Sequence, residues 1–258
     1  MFAWLLNGDH LLSIWLGLFV ASGIAAGVVS GYFKARKIQP KGFKWVIFRN
    51  EALFAVINLA ITGFLLGTLR HALEAAGAIS FATGPALWWR VGLEYALYFF
   101  LFDTYFYWLH RWMHKEPVYS WVHKLHHRST SPNLLTTLSV SPLESLINGG
   151  FVPLFLAVFT VHDATVALIV PTNIIMGLYV HSGYEFLPRW WNRSWATKWF
   201  ISTTFHDQHH RYFTGNFGGY TTIWDRLCST MRPKFEADFE KVKERSRRAP
   251  AKAVQEGA

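Results

Sequence analysis

FDTYFYWLHRWMHKEPVYSWVHKLHH, residues 102–127, joins the end of an apolar stretch to five histidines. The apolar stretch runs from Val91 to Leu109 and is interrupted by Glu94 and Asp103. HRWMH (His110, His114) and HKLHH (His123, His126, His127) follow it directly. On a helix, positions i, i+3 and i+4 share one face, so each motif can aim two or three imidazoles at one point. The second pattern recurs as HDQHH (His206, His209, His210), and His181 stands between the copies. Nine of the twelve histidines fall in these four places. Imidazole is the commonest protein ligand for transition metals. Nine are too many for one tetrahedral or octahedral ion and suit two. The pattern predicts a dinuclear centre built almost wholly from histidine. The adjacent pairs His126/His127 and His209/His210 are about 100° apart on a helix and serve either two different metals or one metal and its surroundings. By spacing alone, His181 is equally a helix-end residue. His10, His71 and His162 belong to no motif and read as structural or surface residues.

Working outward, the chain has 258 residues, of which 52% are hydrophobic, 17% aromatic and only 16% charged. A typical soluble domain carries roughly 25% charged residues. One cysteine, Cys228, excludes an internal disulfide, a cysteine zinc finger and an iron–sulfur cluster. The net charge of +9 would suggest nucleic acid in a soluble protein, but here it is concentrated in a few connecting segments and the C-terminal stretch. Membrane topology explains it, and no nucleic-acid partner is expected. The N-terminus lacks the basic region and cleavage site of a signal peptide.

Leu11–Val29 and Ala52–Leu69 are uncharged and long enough to span a bilayer; Val91–Leu109 makes a third span. Six Lys/Arg lie between Lys34 and Arg49, which predicts a cytoplasmic loop there. The third helix then returns HRWMH to the cytoplasm. Leu146–Val161 and Ala164–Val180 are short for full spans and are interrupted by Gly149, Gly150, Pro153 and Pro171. They read as a helical hairpin with His162-Asp163 at its far turn. This topology places the nine motif histidines on one side and His10, His71 and His162 on the other. The expected fold is an all-α integral membrane helical bundle of three to four spans plus a hairpin, under a cytosolic histidine-rich cap. Residues 1–90 form anchor helices, 91–232 the catalytic region and 233–258 a solvated charged tail, within a single domain.

Neutral imidazoles leave the full positive charge on a bound metal. Glu-x-x-His, the signature of carboxylate di-iron bundles, is absent, and so is HExxH. The set suits a redox metal that binds dioxygen at the membrane and oxidises an unactivated C–H bond in a lipid. Two other classes compete. A metal-binding transporter or sensor without catalysis would hold its ligands near the bilayer midplane. A zinc hydrolase would need a carboxylate base, for which Asp207 is the in-motif candidate.

HRWMH, HKLHH and HDQHH resemble the three histidine boxes of the fatty acid hydroxylase/sterol desaturase superfamily of membrane di-iron enzymes. HDQHHRYFTGNFGGYTTIWDRL and HSGY, which carries His181, are similar to the sterol-desaturase branch, and the resemblance covers roughly residues 95–232. It implies two non-haem irons, O2 as co-substrate and an external electron donor of the cytochrome b5 or ferredoxin/reductase type. It also implies a helical membrane anchor with a cytosolic cap, in a bacterial inner membrane or the endoplasmic reticulum. It supports His181 as a ligand beside His110, His114, His123, His126, His127, His206, His209 and His210.

Ligating histidines usually donate their second N–H to a carboxylate or carbonyl. Asp103 shares a helical face with Tyr107, His110 and His114; it either accepts from a ligand or pairs with Arg111. Asp207 and Asp225 are likewise candidates to support ligands or to cap helices. Glu94, four residues after Arg90, is expected to pair with it. Trp88, Trp89, Trp190, Trp191 and Trp195 read as an interfacial belt. Tyr98, Phe99, Phe102, Tyr105 and Phe106 either line a hydrocarbon channel or pack in the core. Lys115, Lys124, Arg128, Arg189, Arg193 and Arg211 surround the cap, available to headgroups or an acidic electron carrier.

Overall fold

The computed structural model describes residues 34–41 and 44–256. The expected span Leu11–Val29 and His10 lie outside the described residues. Helix makes up 64% of the structure and strand 4%, as the all-helical expectation requires.

Helix α1, Trp45–Ala75, has 31 residues and α2, Trp88–Met113, has 26. At 1.5 Å per residue they measure ~46 and ~39 Å, longer than the ~30 Å hydrocarbon core, so each extends beyond it. Helix α3 (Pro142–Gly149) starts where the Ser141 hydroxyl accepts from Glu144 N at 3.1 Å. It passes at Gly150 into α4 (Phe151–Val158). Two short strands, β1 (Phe81–Ala82) and β2 (Val161–His162), pair in parallel and tie the α1–α2 connection to the far end of the hairpin. Helix α5 (Asp163–Val180) then runs back for 18 residues, about 27 Å. Pro171 does not interrupt α5, contrary to the sequence reading. Spanning helices tolerate proline when neighbours satisfy the freed carbonyl.

Among the described residues, α1 and α5 are long and apolar enough to cross a membrane. Helix α2 is long enough, and its four charged side chains are all hydrogen-bonded. Arg90 donates to Glu94 at 2.7 Å as expected, and Glu94 also accepts from His162 N at 2.9 Å. The outer faces of these helices are apolar: Leu53, Val56, Ile57, Ile61 and Phe64 on α1, and Leu93, Leu97, Phe100 and Leu101 on α2, are exposed. On α2, exposed Trp88 and Trp108 are twenty residues apart, ~30 Å, one bilayer thickness. Two aromatic belts at that spacing, together with the lipid-facing stripe, mark a membrane protein.

Beneath the cap the helices pack on an aromatic core. Tyr98 meets Phe155 at 5.2 Å, Phe99 meets Tyr220 at 4.8 Å and Tyr105 meets Phe151 at 4.8 Å between ring centres. Of the two readings of the α2 aromatics, core packing holds for Tyr98 and Phe102, which are buried. The cap carries α6 (Thr203–Tyr212), α7 (Ile223–Leu227) and α8 (Phe235–Glu256).

Helix α8 overturns the expectation of a solvated tail from residue 233. Phe235, Phe239 and Val242 repeat at i, i+4 and i+7 and are buried. Phe235 packs edge-on against Phe205 of α6 at 5.5 Å, and Gln208 of α6 donates to Asp238 at 2.7 Å. Arg245 and Ser246 both donate to Ala35 O, closing the segment 34–41 over the cap. Of the charges that suggested a tail, Lys241 and Arg247 are exposed on an amphipathic helix, whereas Lys243 and Arg245 reach back to the carbonyls of Glu185 and Ala35. Replacing Phe239 by Ala should cost about 3–5 kcal/mol, as core Phe truncations do. Thermal unfolding in detergent reads this as a lowered midpoint; a solvated tail would leave it unchanged.

Candidate metal centre

The cap gathers all nine motif histidines, from chain segments up to a hundred residues apart. Helix α2 supplies His110 from its last turn and His114 from its C-cap. HKLHH does not form a regular α-helix. A π-turn, Tyr119–His123, runs into a 3-10 turn, His126–Arg128. Helix α5 ends on His181, and α6 carries His206, His209 and His210.

The rings fall into two groups. His110, His114, His123, His127 and His209 form one; His126, His181, His206 and His210 form the other. Within each group one ligand atom per ring lies within 4.8 Å of all the rest. The adjacent pairs divide between groups, His126 from His127 and His209 from His210, the first of the two alternatives the sequence left open. In the five-ring group, His127 Nε2 is 3.0 Å from His123 Nε2 and 3.1 Å from those of His114 and His209. In the four-ring group, His181 Nε2 is 3.0 Å from His206 Nε2 and 3.2 Å from those of His126 and His210.

These separations test the fit of a metal. His110 Nδ1 donates to Phe217 O at 2.8 Å, His209 Nδ1 to Gly215 O at 2.9 Å, His210 Nδ1 to Ser129 O at 3.0 Å and His181 Nδ1 to Gly177 O at 2.8 Å. A carbonyl can only accept, so the proton of each neutral ring sits on Nδ1 and its Nε2 presents a lone pair. Between His181 and His210, both fixed in this way, the lone pairs face one another across 3.2 Å and repel unless a cation lies between them. An octahedron with ~2.1 Å metal–nitrogen bonds has edges of about 3.0 Å, and a tetrahedron about 3.4 Å. The observed spacing fits the octahedral edge, and both groups accommodate a first-row transition metal.

Burial keeps the rings in the ligating form. Desolvation, with repulsion from neighbouring imidazoles added, holds His123, His126, His127, His206, His209 and His210 well below the usual histidine range.

The three aspartates expected near the ligands touch no histidine. Asp103 accepts from Tyr220 N and Thr221 N, both at 2.9 Å, and not from Arg111, which donates to Tyr107. Asp225 accepts from Phe217 N at 2.9 Å and Gly218 N at 2.7 Å. Both thus fix the glycine-rich loop, and Phe217 O of that loop holds His110. Gly219 lets the loop press on α2; a Cβ there would meet Phe106 at 2.6 Å. Asp207 faces away from the rings and accepts from Gln39 at 2.9 Å. Among the described residues, the carboxylate that does reach one of the nine motif histidines is Glu144, whose Oε1 lies 2.9 Å from His123 Nδ1. The sequence reading missed it. Its one signal, an acidic residue just after Ser-Pro, is also the ordinary signature of a helix start. Glu51 and Glu185 were missed as well. Glu51 accepts from Asn133 at 2.6 Å and from Ser129, whose carbonyl holds His210. Glu185 accepts from Thr204 N at 2.9 Å, at the start of α6.

His71 and His162 lie at the opposite end of the bundle. His162 caps the start of α5 and His181 its end, and His71 sits near the C-terminus of α1.

The fold and site define a helical membrane protein whose cap holds two groups of histidines, each able to hold a metal ion. The fatty acid hydroxylase family model matches residues 95–230, which is more than half of the chain, and the chain belongs to that family. A methylsterol monooxygenase of Aspergillus fumigatus is 38% identical over 162 residues, 56% of this chain and 50% of its own length. A C-4 methylsterol oxidase of Schizosaccharomyces pombe is 28% identical over 82% of this chain and 75% of its own. A second methylsterol monooxygenase of Aspergillus fumigatus is 31% identical over 86% of this chain and 83% of its own. The chain thus spans from half to about four fifths of the length of these relatives. No solved structure matches it.

Acid should destabilise the metal-free protein. Folded rings resist protonation, whereas unfolding returns them to about 6.5. Below that value the unfolded state binds more protons, so stability falls as pH drops and is level above it. Thermal melts of chelator-treated protein from about pH 8 down to about pH 5 check this; a midpoint constant across the range would contradict it.

Proposed function

We propose that the protein is an O2-dependent di-iron oxidase of a membrane lipid, with a sterol-class substrate. The observation that carries this reading is the division of nine imidazoles, eight buried and His114 partly so, into two groups whose ring nitrogens converge. His110, His114, His123, His127 and His209 would hold one iron, and His126, His181, His206 and His210 the other. The irons would supply reduction of dioxygen by two electrons from an external donor, with one oxygen inserted into a C–H bond and the other leaving as water. Removal of two hydrogens to give a double bond is the alternative outcome of the same chemistry.

The chain's own residues bind, orient and exclude water. Carbonyls of Phe217, Gly215, Ser129 and Gly177 fix the rings so that Nε2 alone faces inward. Phe213 packs at 5.0 Å from His127, and Phe217 at 5.2 Å from His114, so apolar side chains bound the five-ring group. Such a lining keeps bulk water from competing with a hydrocarbon substrate. The site lies where spanning helices end, at a depth that a lipid reaches without leaving the bilayer.

The names of the relatives favour a sterol. The electron donor is assigned by class, cytochrome b5 or ferredoxin/reductase. The cap is assigned to the cytoplasm because the Lys/Arg-rich segment 34–49 lies at its end of the bundle. A zinc hydrolase is disfavoured because Asp207 points away from the rings. A midplane transporter is disfavoured because the rings sit at helix ends.

Purified protein should carry two irons per chain. Cells making it should show a lipid changed in mass by one oxygen or two hydrogens, dependent on O2. Replacing His126 or His209 by Ala should abolish that change while membrane insertion persists, and His71→Ala should be nearly silent. Turnover that survives loss of His209, or iron content of one, would refute the reading.

A further inference from the structure

We infer that Glu144 is a positioning residue for one of the two metal positions and not for the other. The inference rests on the dinuclear reading above. Glu144 Oε1 stands 2.9 Å from His123 Nδ1, and both side chains are almost wholly buried, at 4% and 2% exposure. Among the described residues, no other carboxylate comes within ion-pair distance of the nine rings. The four-ring group meets only neutral acceptors, Gly177 O behind His181 and Ser129 O behind His210. The two positions therefore differ in charge as well as in ligand number.

Glu144 is rigidly presented. Its backbone N–H is held by the Ser141 hydroxyl, and α3 is pinned to α2 by Tyr105, which donates to Ile147 O at 2.8 Å. Its second oxygen, Oε2, is buried with no hydrogen-bond partner, and His123 Nδ1 makes no hydrogen bond either, so the 2.9 Å approach of Oε1 is an electrostatic contact. A buried carboxylate with no cation beside it is costly. A metal on the far nitrogen of His123 supplies the missing positive charge through the ring. In return, a carboxylate behind a ligating imidazole makes it a stronger donor. His123 is the one ring so backed, so the effect is confined to the five-ring group.

The test is a cobalt(II) titration of the chelator-treated full chain in detergent, read by visible absorption. The unaltered protein should bind two cobalts with separable bands. Glu144→Gln keeps the shape and removes the charge; it should weaken one cobalt by ~10–100-fold and shift its bands, leaving the other unchanged. His210→Ala, which removes a ring from the four-ring group, should affect the complementary bands and so assign them. Wild-type affinity and bands in Glu144→Gln, or equal loss of both cobalts, overturns the inference. If Glu144→Gln does not fold, Glu144→Asp decides: a shift confined to one cobalt supports the inference and its absence overturns it. A single cobalt in the unaltered chain would instead defeat the dinuclear reading itself.

Discussion

Nine imidazoles share one small space only while every ring is neutral. That constraint organises the cap. Protonating a ring there would bury a charge beside other rings with no counter-ion, so each must expose a lone pair inward and turn its N–H outward. Four of them turn it to a backbone carbonyl, and those carbonyls must be held still. Buried carboxylates one layer out do this work. Asp103 accepts from Tyr220 N, Thr221 N and the Thr221 hydroxyl. Asp225 does the same with Phe217 N, Gly218 N and Thr230, and Glu51 with Ser129, Asn133 and Thr136. Each accepts from three donors, the condition under which a buried carboxyl group stabilises a loop instead of destabilising a core. Asp103, Asp225 and Glu51 thus support the histidine cluster without touching its rings.

The membrane sets the other boundary. Helix α2 places its exposed tryptophans one bilayer thickness apart, so its last turn, with His110 and His114, stands just beyond the hydrocarbon. Helix α5 is near the thickness of the bilayer and delivers His181 to the same level. Helix α3 begins at that level, with Glu144, and descends. The strand pair β1–β2 closes the far end, where His162 sits. The nine motif histidines come to one end because the spans alternate in direction, and each crossing returns the chain to the cap or takes it away.

The ring positions were legible in the sequence because both spacing and charge topology sorted the same nine histidines together. The division into two groups was legible only as an alternative. It depends on HKLHH following a π-turn into a 3-10 turn, a local geometry that no periodicity announces. The outer carboxylates were harder to read. Asp103 and Tyr220 are 117 residues apart, and nothing on α2 indicates whether its acid faces a ligand or a loop. The C-terminal helix was readable in principle. Phe235, Phe239 and Val242 mark an apolar stripe, but its dense charges resemble a solvated segment, and the complementary surface on α6 forms only in the fold.

Helix ends complete the electrostatic account. His114 is the C-cap of α2, and His181 is the C-cap of α5. A helix C-terminus carries roughly half a negative charge in its unpaired carbonyls. His114 belongs to the five-ring group and His181 to the four-ring group, so each cation would rest at the negative end of a different spanning helix. Neutral ligands leave the full charge on a bound metal, and two such charges held close together repel. Directing one helix terminus at each offsets part of that cost without placing a carboxylate in the coordination sphere. The start of α6 is served in the opposite sense: Glu185 lies against Thr204 N, where the helix end is positive. The same backbone dipoles that end the membrane spans therefore determine why a pocket so poor in acid is compatible with two cations.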